Sequence, residues 1–329
     1  MRPPWLWIAA VLLLVALVAW AAARPRRAGT RSPAGPSGPS VDSRAQPARL
    51  EASVRTLVES FGPRDASHPE NLGRVATWLH GELERAGGTV ADQPFQTGGA
   101  TYRNVIAHFG PETRERVVVG AHYDTAGPLP GADDNASGVA GLLELARLLG
   151  GSPLTRRIEL VAYPLEEPPY FASREMGSAF HARSLKAQGA RVRSMLCLEM
   201  IGFFSDAPDS QEVPLAALKR LYPSQGNFIL VVGRPGQGGL VRRVKNRMGK
   251  AAAPLDVRSL LAPASLPGVD FSDHRNYWNE GWDAVMITDS AFYRNPHYHT
   301  ARDTPDTLDY PRMARVVDGV LAAVLAEAG

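Results

Sequence analysis

The chain has 329 residues and a formal net charge of +3, but the charge is unevenly spread. Arg2 and residues 24–49 contribute seven arginines and one acid, so the chain from residue 50 onward has a net charge of about −3. Such an acidic body lacks the basic surface of a nucleic-acid-binding protein. The single cysteine, Cys197, excludes an intramolecular disulfide framework.

Residues 5–23 form an uninterrupted apolar run with tryptophans near both ends. The length is that of a helix crossing a bilayer, and the tryptophans are typical of its interfaces. The run predicts a single-pass membrane anchor over residues 1–23. A cleaved signal peptide is the alternative, with Ala19-Trp20-Ala21 as the cleavage site. The arginines that follow the run favour a cytoplasmic body by the positive-inside rule.

Residues 24–47 are rich in Pro, Gly, Ser and Arg and predict a disordered linker. Residues 48–329 are predicted to fold as one domain, because apolar periodicities of 3.6 and 2 alternate along them. The expected class is α/β, with a sheet covered by helices on both faces and an antiparallel edge made by its first two strands. Strands are predicted at 89–95, 103–109, 116–121, 157–163, 194–199, 228–232 and 284–288. Helices are predicted at 50–61, 68–86, 136–149, 177–188, 239–248 and 310–326, and long loops at 201–227 and 259–272.

His122 and Asp124 follow the buried strand 116–121. Residues at i and i+2 of an extended chain lie on the same face. A metal-bound imidazole needs an acceptor on its second nitrogen, and Asp124 is placed to provide one. The alternative is a hydrogen-bonded surface pair.

Asp133 and Asp134 stand at the entry to helix 136–149, within Gly131-Ala132-Asp133-Asp134-Asn135-Ala136-Ser137-Gly138. Helix capping and the helix dipole account for one acid at such a position. They do not account for two acids among residues small enough to let the backbone come close. Asp134, with His122, is therefore predicted to bind a metal.

Two further strands end in acids: Glu166 and Glu167 follow strand 157–163, and Glu199 closes strand 194–199. Adjacent carboxylates at a strand end need a cation or different protonation states. In a hydrolytic site one of them binds metal while the other acts as general base. A solvated loop pair is the alternative. Cys197 shares a face with Glu199, and a small buried thiol is favoured over a thiolate ligand.

Histidines recur late in the chain, in Ser272-Asp273-His274 and in Asn295-Pro296-His297-Tyr298-His299. Imidazole and carboxylate donors without thiolate suit Zn²⁺, with Mn²⁺ or Co²⁺ as alternatives. The candidate donors exceed what one catalytic zinc needs, and a bridging carboxylate lets such a set hold two ions.

These motifs, in this order, resemble those of the M28 family of zinc metallopeptidases. That family includes bacterial leucyl aminopeptidases, glutamate carboxypeptidases and the related glutaminyl cyclases. The resemblance covers about residues 50–329 and rests on His122-Tyr123-Asp124, the Gly131–Gly138 stretch, Glu166-Glu167, Glu199, Ser272-Asp273-His274 and Tyr298-His299-Thr300 with Asp303-Thr304. It implies a mixed β-sheet sandwiched by helices, of the phosphorylase/hydrolase-like kind, and two zinc ions.

Carried over by motif, His122 and Glu199 bind one zinc, and Glu167 and His299 the other. Asp134 bridges the two through a turn with a cis peptide to Asn135. The resemblance makes Glu166 the general base and Asp124 the residue that orients His122, with Tyr298 as a contact to the tetrahedral intermediate. Two features depart from the family: Glu199 stands where the aminopeptidases carry aspartate, and Pro168-Pro169-Tyr170-Phe171 lengthens the loop beside the base.

The activity that follows is zinc-dependent removal of N-terminal residues from peptides. A glutaminyl-peptide cyclotransferase on the same scaffold and a non-catalytic metal-binding receptor are the alternatives. The resemblance favours export, hence a membrane-anchored domain outside the cytoplasm, or a secreted one if residues 1–23 are cleaved. Side-chain specificity, recognition of the amino or carboxyl end, and the oligomeric state stay open.

Overall fold

A computed structural model describes residues 44–150 and 152–329 of the chain. Its centre is a single eight-stranded sheet. The strands are β1 (Thr89–Thr97), β2 (Ala100–Phe109), β3 (Glu115–His122), β4 (Arg157–Tyr163), β5 (Arg191–Leu198), β6 (Phe228–Gly233), β7 (Asp256–Leu261) and β8 (Ala284–Thr288).

The sheet is mixed, with strand order β1-β2-β4-β3-β5-β8-β6-β7. Its four central strands, β4, β3, β5 and β8, are parallel. The antiparallel pair β1–β2 forms one edge, as the sequence predicts, and β6 runs antiparallel to β8. Because the central strands are parallel, their carboxyl ends meet at one edge of the sheet, where open α/β sheets form their sites.

Helices cover both faces of the sheet. They are α1 (Pro47–Arg55), α2 (Pro69–Arg85), α3 (Gly138–Leu149), α4 (Gly177–Ala187), α5 (Gly238–Ala251), α6 (His274–Asn279) and α7 (Tyr310–Ala328). Val117 and Val119 of β3 pack into the larger core with α1, α2, α3, α5 and α7, whereas Val118 packs into the second core with α4 and α6. This alternation is the period of a strand buried on both faces, and it confirms the predicted sandwich.

The main errors of the sequence-based assignment lie in and on either side of the predicted loop 259–272. Strand β7 occupies its first residues, and the short helix α6 follows it. Strand β7 is the outermost strand beside β6, and most of its residues are half-buried. Its polar residues Asp256, Arg258 and Ser259 hid the apolar alternation that identifies a strand.

Packing contacts of the domain begin a few residues before its predicted start at residue 48. Ala45 is buried and its N–H donates to Asp318 of α7, while the N–H of Gln46 donates to Glu144 of α3. The apolar run 5–23 and the linker up to residue 43 lie outside the described residues, and the membrane anchor stays a prediction. Within the two described stretches, no helix combines the length and apolar character needed to cross a bilayer.

Candidate active site

The five predicted metal ligands converge at the carboxyl edge of the sheet. Their donor atoms form two groups, within each of which all atoms lie within 4.8 Å of one another. One group contains His122, Asp134 and Glu199, and the other contains Asp134, Glu167 and His299. Asp134 belongs to both groups.

The two oxygens of Asp134 face different imidazoles. Its Oδ1 lies 3.4 Å from Nε2 of His122, and its Oδ2 lies 3.0 Å from Nε2 of His299. Each imidazole also faces a glutamate: Nε2 of His122 is 3.3 Å from Oε2 of Glu199, and Nε2 of His299 is 3.1 Å from Oε1 of Glu167. This is the arrangement of a carboxylate placed between two cation sites.

The donor set fits zinc. His122 Nε2 and Asp134 Oδ1 are buried, and neither has a hydrogen-bond partner among residues 44–150 and 152–329. Leaving buried polar atoms unpaired is costly, so such atoms at a converging donor set indicate a missing partner. Imidazole and carboxylate donors suit Zn²⁺. The thiol of Cys197 belongs to neither group; its Sγ lies 3.1 Å from Oγ of Ser272.

The turn that carries Asp134 is not helical. Asp134 and Asn135 have non-helical φ and ψ, and the peptide bond between them is cis, as the resemblance implied. Helix α3 therefore begins at Gly138, two residues later than predicted. The Asn135 side chain holds the turn against the end of β5, because its Nδ2 donates to the carbonyl of Leu198 at 2.9 Å and its Oδ1 accepts from the N–H of Met200 at 3.1 Å.

Burial and mutual repulsion shift the pKa values of the acidic residues in the site. Burial, followed by the charge of Asp134, raises the pKa of Glu167 to about 7. Burial also raises the pKa of Glu166 well above its ordinary value, against the opposing effect of His122. For Asp134 burial acts in the same direction, but the neighbouring imidazoles of His122 and His299 outweigh it and lower the pKa. A bound dication would supply positive charge that offsets the repulsion between these crowded carboxylates.

Asp124 has more partners than the sequence indicated. Nδ1 of His122 donates to the main-chain carbonyl of Asp124 at 3.2 Å, and the carboxylate Oδ1 is slightly farther away, at 3.4 Å. That contact leaves Nε2 of His122 facing the donor groups. The carboxylate also accepts the N–H groups of Glu166 and Glu167, at 3.1 and 3.0 Å. Asp124 thus contacts three of the predicted site residues, not only the histidine.

Glu166 belongs to neither donor group, although it lies beside them. Its Oε2 is 3.9 Å from Nε2 of His122, and the side chain is only 7% exposed. The loop that follows is braced at two points: Thr97 donates to Glu175 at 2.6 Å, and the ring of Phe171 packs edge-on against Phe271. The extra residues of this loop therefore reach a neighbouring loop.

The remaining late-chain residues take different places. The ring of Tyr298 stacks on that of His299 at 3.8 Å, and burial raises the pKa of its phenol, which keeps it a hydrogen-bond donor. Ser272, for which the sequence indicated no role, donates to Glu199 at 2.6 Å. His274 lies away from the donors and contacts the carbonyl of Val269, and His297 packs edge-on against Phe203.

An apolar cavity opens beside Glu199 and Tyr298. It is lined by strand residues and by aromatic residues from the two long loops and from residues 290–298, among them Phe228, Leu230, Met286, Phe271, Phe292 and Tyr293. Polar side chains in the wall bond to nearby backbone: the hydroxyl of Tyr222 donates to the carbonyl of Ser259, and that of Tyr293 to Pro267. The cavity thus presents an apolar surface next to the donor groups.

Residues 104–324 match the family model described as Peptidase family M28. The chain is 46% identical to the uncharacterized protein YfbL of Escherichia coli (strain K12), over 86% of this chain and 89% of that one. It is 28% identical to a probable leucine aminopeptidase of Arthroderma otae, over 72% of this chain but only 61% of that protein. The chain thus spans about three fifths of that fungal relative.

Two solved structures have the same fold. The zinc aminopeptidase BSAP from Bacillus subtilis superposes with a TM-score of 0.67 at 16% identity, covering 85% of this chain and 94% of that one. A glutaminyl cyclase from Bacteroides thetaiotaomicron superposes with a TM-score of 0.64 at 21% identity, covering 86% and 98%. With the family model matching well over half of the chain, the chain belongs to peptidase family M28 and is a hydrolytic peptidase.

Proposed function

We propose that the chain is a dizinc aminopeptidase. His122 and Glu199 would hold one zinc ion, Glu167 and His299 would hold the other, and Asp134 would donate to both. The observation that carries the proposal is the pair of donor groups sharing Asp134, with Glu166 beside them and in neither group. All five ligands and a separate carboxylate are thus present, which argues against a non-catalytic receptor.

When bound, zinc supplies Lewis-acid polarisation of the scissile carbonyl and lowers the pKa of water. The protein's own contribution is proton transfer by Glu166. Its carboxylate accepts a proton from the attacking water as the oxygen bonds to the carbonyl carbon. It then returns that proton to the nitrogen of the leaving amine as the C–N bond breaks. Geometry supports this role, because Glu166 lies beside the donor groups, with Oε2 3.9 Å from Nε2 of His122, and belongs to neither group.

Tyr298 is placed to contact the reacting group. Its ring lies against the ligand His299 and lines the cavity, and its phenol stays protonated. A hydroxyl there would donate to the oxyanion of the tetrahedral intermediate, as donors in oxyanion holes do.

The cavity supports a substrate whose first residue has a large apolar side chain. Such pockets are lined mainly by hydrophobic and aromatic groups, and this one lies directly beside Glu199. None of the described residues lining it is a lysine or an arginine. The pocket therefore offers no cation for a terminal carboxylate, whereas the acids of the site suit a free ammonium group. These features favour the amino end of a peptide.

A glutaminyl-peptide cyclotransferase is the second candidate, because a glutaminyl cyclase shares the fold over nearly its whole length. Two donor groups sharing one carboxylate favour the peptidase, since they provide for two ions.

The experiment compares three compounds on the purified, zinc-loaded protein. Leucyl anilide should be hydrolysed, its N-acetylated form should be inert, and a peptide beginning with glutamine should not cyclise. Metal analysis should find two zinc ions per chain. Cyclisation of the glutaminyl peptide without anilide hydrolysis would instead establish the second candidate.

A further inference from the structure

Asp303 receives three consecutive backbone N–H groups from the turn that carries Asp134. Its main-chain carbonyl accepts from Ala132 at 3.2 Å. Its carboxylate accepts from Asp133 at 2.9 Å through Oδ1 and from Asp134 at 3.1 Å through Oδ2. Asp303 is 1% exposed, so water does not compete for these bonds.

Through these bonds, Asp303 connects two segments that each supply a proposed metal ligand. It follows the ligand His299 by four residues, and its own N–H donates to the carbonyl of Thr300 at 3.2 Å. The segment that supplies the ligand His299 is therefore hydrogen-bonded to the turn that supplies the bridging ligand Asp134. This turn lies about 170 residues earlier in the chain. The Nε2 atom of His299 and Oδ2 of Asp134 are 3.0 Å apart at the end of this connection.

Arg64 holds the other side of the same turn. Its Nη2 donates to the carbonyls of Pro130 and Gly131, both at 3.0 Å, and its Nε donates to Tyr123 at 3.1 Å. The guanidinium is buried and binds carbonyls, and the carboxylates of Asp303, Asp124 and Asp134 supply the opposing charge. The turn is thus held by its carbonyls on one side and by its N–H groups on the other.

Asp124 provides a parallel within the same molecule. Its two carboxylate oxygens accept the consecutive N–H groups of Glu166 and Glu167. One aspartate therefore fixes the segment with the base and one ligand, while Asp303 fixes the segment with the bridging ligand.

We propose that Asp303 is a positioning residue of the metal centre, which sets the separation of Asp134 and His299 and so determines zinc affinity. The inference rests on the proposed function, since zinc is the group to be held. Partners of metal ligands typically change metal affinity about 10- to 100-fold when they are substituted. A residue that merely caps the turn would change the stability of the fold and leave the affinity unchanged.

The test measures zinc affinity of the full chain by competition with a chromogenic chelator, together with thermal unfolding of the metal-free protein. Asp303→Asn keeps the size of the side chain but turns an amide NH₂ toward a backbone N–H. Asp303→Glu keeps the charge and both acceptors but displaces them by one methylene. Asp309→Asn is the matched control, because Asp309 also accepts a backbone N–H, from Arg312 at 2.9 Å, at the start of α7.

Both Asp303 variants should bind zinc about 10- to 100-fold more weakly than the wild type, and Asp309→Asn should bind it equally well. Zinc affinity of Asp303→Asn within twofold of the wild type would overturn the proposal, even if its metal-free form melts earlier. If Asp303→Asn does not fold, Asp303→Glu decides by the same criterion. A wild-type protein that takes up no zinc would overturn the proposed function and this inference together, whereas equal uptake by wild type and variants overturns this inference alone.

Discussion

Replacing Glu166 with glutamine should abolish most of the activity while leaving the metal centre intact. The Glu166 side chain is buried and belongs to neither donor group, so an isosteric amide fits without disturbing a ligand. Its segment stays in place, because the bond to Asp124 is made by the backbone N–H of Glu166. The substitution therefore removes one thing, a carboxylate that can accept and return a proton.

General acid–base groups contribute about 10²- to 10⁴-fold to rate, which corresponds to about 2.7–5.4 kcal/mol of barrier. The assay is the turnover number on leucyl anilide at saturating substrate, with zinc content measured on the same samples. Glu175→Gln is the matched control, since Glu175 lies on the same loop and bonds to Thr97, away from the donors. A Glu166→Gln protein with full zinc content and a turnover number within a few-fold of the wild type would refute the assignment of Glu166 as base.

Three further outcomes are expected. Phe292→Ala removes an aromatic side chain that lines the cavity and with it about 1–2 kcal/mol of apolar contact. It should lower kcat/KM for phenylalanyl anilide about tenfold and leave kcat/KM for alanyl anilide unchanged. An equal loss on both substrates would contradict the assignment of the cavity as the pocket for the first side chain. Burial lowers the pKa of His181 to about 4 despite the nearby Glu159, so below about pH 6.5 the unfolded chain binds a proton that the folded protein excludes. The free energy of unfolding of the metal-free protein should then fall between pH 6.5 and pH 4, by up to about 3 kcal/mol from this residue. In urea unfolding, His181→Gln should lose that part of the pH dependence. A pH dependence equal to that of the wild type would contradict the role of His181. Zinc at about 100 times its dissociation constant should raise the free energy of unfolding by about 2.7 kcal/mol per site, and identical urea midpoints with zinc and with chelator would argue against the donor groups as zinc sites.

Local sequence patterns predicted the centre of the fold well, for physical reasons. Strands β4 and β8 were predicted with the bounds that the structure shows. Both are fully or almost fully buried, and apart from Arg157 and Glu159 of β4 and Thr288 of β8 their residues are apolar, so burial leaves a clear signal in the sequence. The proposed ligands could also be predicted from the sequence, because acids and histidines that directly follow such strands must meet where parallel strands end.

Other features depend on contacts that no local pattern records. The half-buried edge strand β7 lacks a continuous apolar face, so the sequence predicts no strand there and its last three residues fall within the predicted loop 259–272. The cavity is assembled from distant segments, such as Tyr222, Leu260 and Phe292. The bonds of Asp303 to the Asp134 turn span about 170 residues, and a motif containing Asp303 does not reveal them.

The central claim is that Asp134 bridges two zinc ions in this chain. Anomalous diffraction at the zinc absorption edge, from crystals of the zinc-loaded protein, tests it most directly. We expect two peaks, one among His122, Asp134 and Glu199 and the other among Asp134, Glu167 and His299. A single peak at full zinc loading, or peaks away from Asp134, would contradict the account.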